Sequence, residues 1–194
     1  MEERGPAPVI VSLGGNALIR RGQKGTIEEQ FDNASKACSL ISALSEAAFP
    51  LIVTHGNGPV VGNIVLRNEA ASALVPPMPL YISGADSEGV VGYTLQQVIY
   101  NHLKRSGTGR QVAALITQVV VDARDPAFKN LTKPIGPFYA ESEARALIGA
   151  RGWGMKDDSG RGYRRVVASP RPLRIVESGV IERLASAGVI VIAA

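Results

Sequence analysis

Cysteine is nearly absent from this 194-residue chain, and Cys38 alone can form neither an internal disulfide nor a multi-cysteine zinc site. That usage fits a reducing compartment, so a cytoplasmic location is expected. No apolar run reaches the ~18 residues of a membrane span, and the first six residues lack the basic start and apolar stretch of a signal peptide. No membrane partner is therefore expected. Charge of one sign is scarce too: 21 Lys and Arg stand against 17 Asp and Glu, interspersed, for a net charge of +4, and aromatics are 5% of the chain. Without a basic stretch interleaved with aromatics, no nucleic-acid partner is expected, and the surplus charge suits a small anionic ligand or solubility. Also missing are G-x-x-x-x-G-K-[ST], G-x-S-x-G, H-E-x-x-H and C-x-x-C, which excludes the mechanisms those motifs carry.

What is present is a 45% hydrophobic composition and a length that can bury roughly 70% of its unfolded surface in one domain. Val9 to Leu13 is a short β-branched run stopping at Gly14-Gly15-Asn16, as a buried parallel strand stops at a tight turn. Beyond Arg20-Arg21-Gly22, Thr26 and Glu29 form a capping-box pattern, and Ile27, Phe31, Ala34, Cys38, Ile41 and Leu44 mark one helical stripe. Cys38 on that stripe reads as packing. Leu51 to Thr54 is a second strand, broken at His55-Gly56-Asn57-Gly58-Pro59 before a helix from about Val60 to Ala73. A third helix is predicted from about Asp86 to Lys104, capped by Ser83 and stopped by Gly107, followed by a strand over Val112 to Val121. Strand, glycine turn, helix, strand is the order of an α/β fold with a mostly parallel sheet. Residues 122–172, rich in proline and glycine with one short helix near Glu141 to Leu147, read as an excursion: a lid or small subdomain. A helix from about Ser178 to Ala187 and a strand over Val189 to Ile192 resume the pattern. Parallel strands bind ligands beyond their carboxyl ends, so stopping at such an end suggests half a crevice, with a terminal strand closing the sheet as the alternative.

Two glycine turns carry the strongest chemical signal, Gly14-Gly15-Asn16 and Gly56-Asn57-Gly58, each after a strand and before a helix. Glycine lets backbone N–H groups approach an anion closely, and the following helix adds its positive end. Gly56, Gly58 and Gly62 miss the dinucleotide spacing by one residue, and no acidic residue follows at the distance ribose recognition requires. Lys133, among prolines in Asn130 to Pro137, can neutralise phosphate oxygens. Lys156, Arg161, Arg164 and Arg165 are interleaved with Asp157 and Asp158 and read as a solvated lid surface. His55 beside a glycine turn is open between a structural and a site role, and His102 is assigned none.

Three stretches, V-S-L-G-G-N-A-L at 11–18, T-H-G-N-G-P-V-V-G at 54–62 and D-P-A-F-K-N-L-T-K-P-I-G-P-F-Y at 125–139, resemble carbamate kinase, of the amino acid kinase family. So does G-R-G-Y-R-R-V-V-A-S-P-R-P at 160–172. The resemblance implies an α/β three-layer sandwich with a mostly parallel central sheet and a protruding subdomain at about 122–172. It implies reversible phosphoryl transfer between ATP and carbamate, giving carbamoyl phosphate and ADP, with ATP or ADP and Mg²⁺ as cofactors. By position, Gly14, Gly15 and Asn16 meet the transferred phosphoryl group, Gly56, Asn57 and Gly58 hold the carbamate side, and Lys133 stabilises charge in transit. No protein metal ligand is implied. Glu88 stands where the family usually shows glutamine, and Leu131 where it shows proline. A homodimer and a place in arginine metabolism are further implications. Family members continue into a second, nucleotide-gripping lobe, so residues 1–194 read as the N-terminal, carbamate-binding lobe: truncated, cleaved or completed by another chain, and inactive alone. The alternatives are a kinase of another small acid on the same fold and a non-catalytic anion-binding or dimerisation fragment.

Overall fold

The computed structural model describes residues 6–20, 22–45 and 49–194, which fall into two compact units. Arg21, in the expected loop after the first turn, lies outside the described residues. The first unit comprises residues up to Asn57, Gly84–Gln118 and Val176–Ala194; the second comprises Gly58–Ser83 and Val119–Ile175.

The first unit is built on a four-stranded sheet formed by β1 (Val9–Leu13), β2 (Leu51–His55), β3 (Val112–Leu115) and a strand near the end of the chain, Ile190–Ala193. The strand order puts Ile190–Ala193 between β2 and β3, with every pairing parallel. That last strand is central and fully buried, so it does not close the sheet at an edge. β1 is the edge strand, and its expected burial holds on one face only: Val9, Val11 and Leu13 are half-buried while Ile10 is 61% exposed. An edge position leaves one face of β1 uncovered among the described residues.

Helix α1 (Ile27–Ser45) begins at the reciprocal cap read from the sequence: Thr26 N–H donates to the Glu29 carboxylate at 3.1 Å and Glu29 N–H donates to Thr26 Oγ1 at 3.3 Å. Ala34, Cys38 and Ile41 of its stripe are fully buried, whereas Ile27, the first helical residue, is exposed. Burial pushes the Cys38 thiol up to about 12, which makes it a small apolar filler.

Between the strands runs α3 (Leu80–Ser106), longer than the sequence suggests and preceded in the chain by α2 (Gly58–Ala70). Its start at Leu80 puts Ser83 inside the first turns, so Ser83 does not cap the helix as expected. Val91, Leu95, Val98, Ile99 and Leu103 form its buried stripe, and Gly107 at φ +73° follows its end. On the opposite edge of the sheet from β1, Gln96 Oε1 accepts from Ala114 N–H at 2.8 Å, satisfying an edge donor. The strand expected over Val112 to Val121 is interrupted, because β3 ends at Leu115 and Thr117 turns to Glu88. Its N–H and hydroxyl lie 2.7 Å and 3.3 Å from Glu88 Oε2. α5 (Ser178–Ser186) buries Ile181 and Ala185 against Val191 and Ala193. Just past α3, Arg110 donates to the carbonyls of Gly188, Ser45 and Phe49 at 3.0 to 3.3 Å, joining the ends of α5 and α1.

The second unit is wider than the 122–172 excursion, since α2 belongs to it. Its antiparallel three-stranded sheet orders β5 (Lys133–Tyr139), β7 (Tyr163–Val167) and β6 (Met155–Asp157), and a separate pair joins β4 (Val119–Val120) to β8 (Arg174–Ile175); with these the strand Ile190–Ala193 is β9. The lone helix expected there is α4 (Glu141–Arg151), four residues longer than its expected end and stopped by Gly152 at φ +64°. The sequence pattern did not announce these short strands, whose irregular register and half-buried faces break a clean alternation. α2 lies against β5 at a contact only small residues allow: a Cβ on Gly62 would stand 3.2 Å from Gly136 Cα. No helix among the described residues is long and apolar enough to cross a membrane.

Replacing Arg110 by alanine is expected to lower unfolding stability by about 2 kcal/mol, with Arg110→Lys restoring only part of it, as read from urea midpoints. Burial, opposed by the Thr117 hydrogen bonds, raises the Glu88 pKa, and Glu177 adds to the rise. Folded Glu88 thus keeps its proton above the usual 4.5, and the fold loses stability as pH rises through that window. Glu88→Gln should remove this slope: its melting temperature should exceed that of the parent at pH 7 and match it near pH 4, by calorimetric scans.

Candidate functional site

The two glycine turns of the first unit come together because their strands pair in register. Leu13 stands opposite His55 in the β1–β2 ladder, so the residues after each strand leave the sheet side by side at its carboxyl edge. Gly56 N–H donates to Leu13 C=O at 2.8 Å. A Cβ added to Gly56 would lie 2.9 Å from Gly15 N and 3.6 Å from Gly14 C, so only glycine permits this separation of the turns. With its N–H committed, Gly56 contributes clearance rather than a donor.

Gly14 takes an extended conformation at φ −63°, ψ 156° and leads into a 3₁₀ turn over Gly15–Ala17. Its carbonyl accepts from Ala17 N–H at 2.8 Å. The Gly15 N–H, first in that turn, has no acceptor among the described residues, as expected of a helical first turn. A Cβ on Gly14 would meet nothing within 4 Å, so the turn is open on the Gly14 side. Asn16 is the middle residue of the 3₁₀ turn, and its side chain lies outside the described residues.

Asn57 follows Gly56, and its amide orientation is set by α3. Asn57 Nδ2 donates to Ser87 Oγ at 2.7 Å, and Ser87 Oγ donates in turn to Gly84 C=O at 2.6 Å. Ser87 is fully buried, so this relay is shielded from water and locks which face of the Asn57 amide carries oxygen. Sequence reading missed Ser87 because a serine within a helix gives no local sign of a partner thirty residues away. His55 is half-buried with Nδ1 unpartnered among the described residues, and burial holds its pKa below the usual 6.5, which keeps the ring neutral at pH 7.

Gly58 and Lys133 belong to the second unit. Gly58 opens α2, with Pro59 next to it as a helix start favours. Lys133 is the first residue of β5, exposed and opposite Val167, and it makes no ion pair among the described residues. Of the basic cluster, Arg161 and Arg164 share Asp158 and both lie over the Phe138 ring at 5.1 and 5.2 Å. Arg165 stands apart, stacked on Trp153 at 4.4 Å. Among the described residues no three His, Cys, Asp or Glu side chains converge in a way that would hold a metal ion.

No family model matches the chain. Its sequence is 46% identical over 190 residues to the carbamate kinase of Pyrococcus horikoshii, covering 97% of this chain and 60% of that protein. Against the carbamate kinase of Trichomonas vaginalis identity is 45% over 185 residues, covering 95% and 59%. Among solved structures, Giardia lamblia carbamate kinase bound to citric acid superposes with a TM-score of 0.88 at 43% identity, over 96% of this chain and 60% of that one. The same enzyme bound to AMP-PNP gives 0.85 at 42%, over 96% and 59%. The chain spans about 60% of the length of these relatives. Sequence identity of this level along almost the whole chain, on the same α/β framework, makes this chain a homologue of the carbamate kinases over about 60% of their length.

Proposed function

We propose that residues 1–194 are the N-terminal, carbamate-binding lobe of a carbamate kinase, which interconverts carbamate plus ATP and carbamoyl phosphate plus ADP when a nucleotide-binding lobe completes it. The observation that carries the reading is the pair of turns meeting at Gly56 and Gly15, with a Gly15 N–H that has no acceptor among the described residues and a Gly14 that no neighbour crowds. Such a cradle suits a small oxyanion.

The chemistry asks for little more. Carbamate is already an anion, so its attacking oxygen needs no general base, and positioning and charge stabilisation carry the rate. Gly14, Gly15 and Asn16 meet the phosphoryl oxygens, while Gly56 gives the clearance and Asn57, oriented by Ser87, holds the carbamate side with Gly58. Lys133, an exposed cation free of ion pairs among the described residues, offsets charge on the phosphoryl group in transit. Nucleotide use is supported by the AMP-PNP complex of the Giardia relative. In this reading Mg²⁺ comes with the nucleotide, and no step here runs through it. A cytoplasmic homodimer acting in arginine metabolism belongs to the same reading.

Alanine at Gly14 fits the φ and ψ present and meets no neighbour, so Gly14→Ala should fold as the parent does yet weaken carbamoyl phosphate binding about tenfold or more in calorimetry. Gly56→Ala should instead cost about 1–3 kcal/mol of stability by forcing the turns apart. Unchanged binding in folded Gly14→Ala contradicts the cradle. In the same instrument the 194-residue chain should take carbamoyl phosphate but not acetylglutamate. Its turnover with ADP and Mg²⁺ should be negligible, and full activity would overturn the two-lobe reading.

A further inference from the structure

The second unit contains a cavity of about 230 Å³ whose wall mixes apolar and charged groups. Val65 of α2, Met78 and Leu80 supply hydrocarbon surface, and Asn68, Glu69 and Arg165 supply polar atoms. Glu69 is ion-paired with Arg151. Arg165 is different. Its guanidinium is half-buried and rests on the Trp153 ring at 4.4 Å, yet it makes no hydrogen bond or ion pair among the described residues. Arg161 and Arg164, on the same stretch of chain, both have Asp158.

Burial lowers the Arg165 pKa, with the Tyr139 phenol opposing and Arg151 adding to the effect, but a guanidinium keeps its proton at any ordinary pH. A charge withdrawn from water without a partner is costly, and the cost is recovered when an anion arrives. The planar fork of an arginine matches the two oxygens of a carboxylate, and stacking on an indole holds the plane of that fork. One uncompensated positive charge calls for a monoanion. A volume under the ~300 Å³ typical of ligand pockets calls for something smaller than a nucleotide.

We propose that this cavity binds a small monocarboxylate with an apolar body, its carboxylate held by the Arg165 fork and its hydrocarbon part by Val65, Met78 and Leu80. The assignment goes beyond the phosphoryl-transfer reading, since none of its groups belongs to the glycine turns.

Trp153 is the only tryptophan in the chain and carries the Arg165 guanidinium on its ring, so its fluorescence reports what reaches that guanidinium. Titrating the full 194-residue protein with hexanoate should give a saturable change in that signal, and hexanamide, of equal shape without charge, should give none. Arg165→Gln should weaken the hexanoate response about tenfold or more, and Arg165→Lys should restore part of it. Saturating carbamoyl phosphate should leave the hexanoate curve where it was. The proposal is overturned by an absent saturable change, by an equal response to hexanamide, by unchanged affinity in folded Arg165→Gln, or by displacement with carbamoyl phosphate. If Arg165→Gln does not fold, the acid and amide comparison on the parent protein decides alone.

Discussion

Two backbone turns pressed together with no side chain between them set the geometry of everything at the carboxyl edge of the parallel sheet. The contact depends on the β1–β2 register, which brings Leu13 opposite His55, and on Gly56, whose missing Cβ lets its backbone reach Gly15. The hydrogen bond from Gly56 to Leu13 then holds the separation. What remains at the rim is a donor of the first turn and an asparagine steered from α3, a combination that addresses a small anion with backbone dipoles and one oriented amide. A site made of main chain is rigid to the extent that its strands are, and β2, which carries β1 on one side, pairs on the other with the buried β9 at the centre of the sheet.

Charge in the protein is arranged by pairing more than by number. Asp158 neutralises two arginines that look equivalent to Arg165 in the chain, and it does so because a turn at Ser159–Gly160 folds it back toward Arg161 and Arg164. Arg165 projects from the same strand one position later, and strand alternation sends it to the other face, onto Trp153. A run of bases that reads as one solvated surface therefore divides into a pair sharing Asp158 and two cations with no ion pair among the described residues, the exposed Lys156 and the half-buried Arg165. Arg110 shows the reverse case, an arginine with no motif around it whose donors gather carbonyls from two distant helix ends.

Much of the α/β order was legible. The capping box at Thr26 and Glu29 and the stripe through Ala34, Cys38 and Ile41 are local patterns, and local patterns survive into the fold. The glycine turns were also legible, because a β-branched run ending at paired glycines has few other meanings. Readings failed where a partner far along the chain decides the outcome. Ser83 resembles a cap only until the prolines at 76, 77 and 79 let the helix begin at Leu80. β1 looks buried from its composition, yet strand order makes it an edge. The run after Val112 looks like one strand, but Glu88 captures Thr117 and ends it early. Ser87, which orients Asn57, carried no sequence signal at all.

By itself, the sequence determined the periodicities, the positions of the glycine breaks and the motifs that resemble those of carbamate kinases, since each depends on residues close together. Tertiary structure alone decided which glycine gives clearance and which N–H is left unpaired, which arginine has a carboxylate and which does not, and which strand lies at the edge. Those outcomes turn on distances between residues tens of positions apart, and such distances are set only when strands choose their neighbours and register.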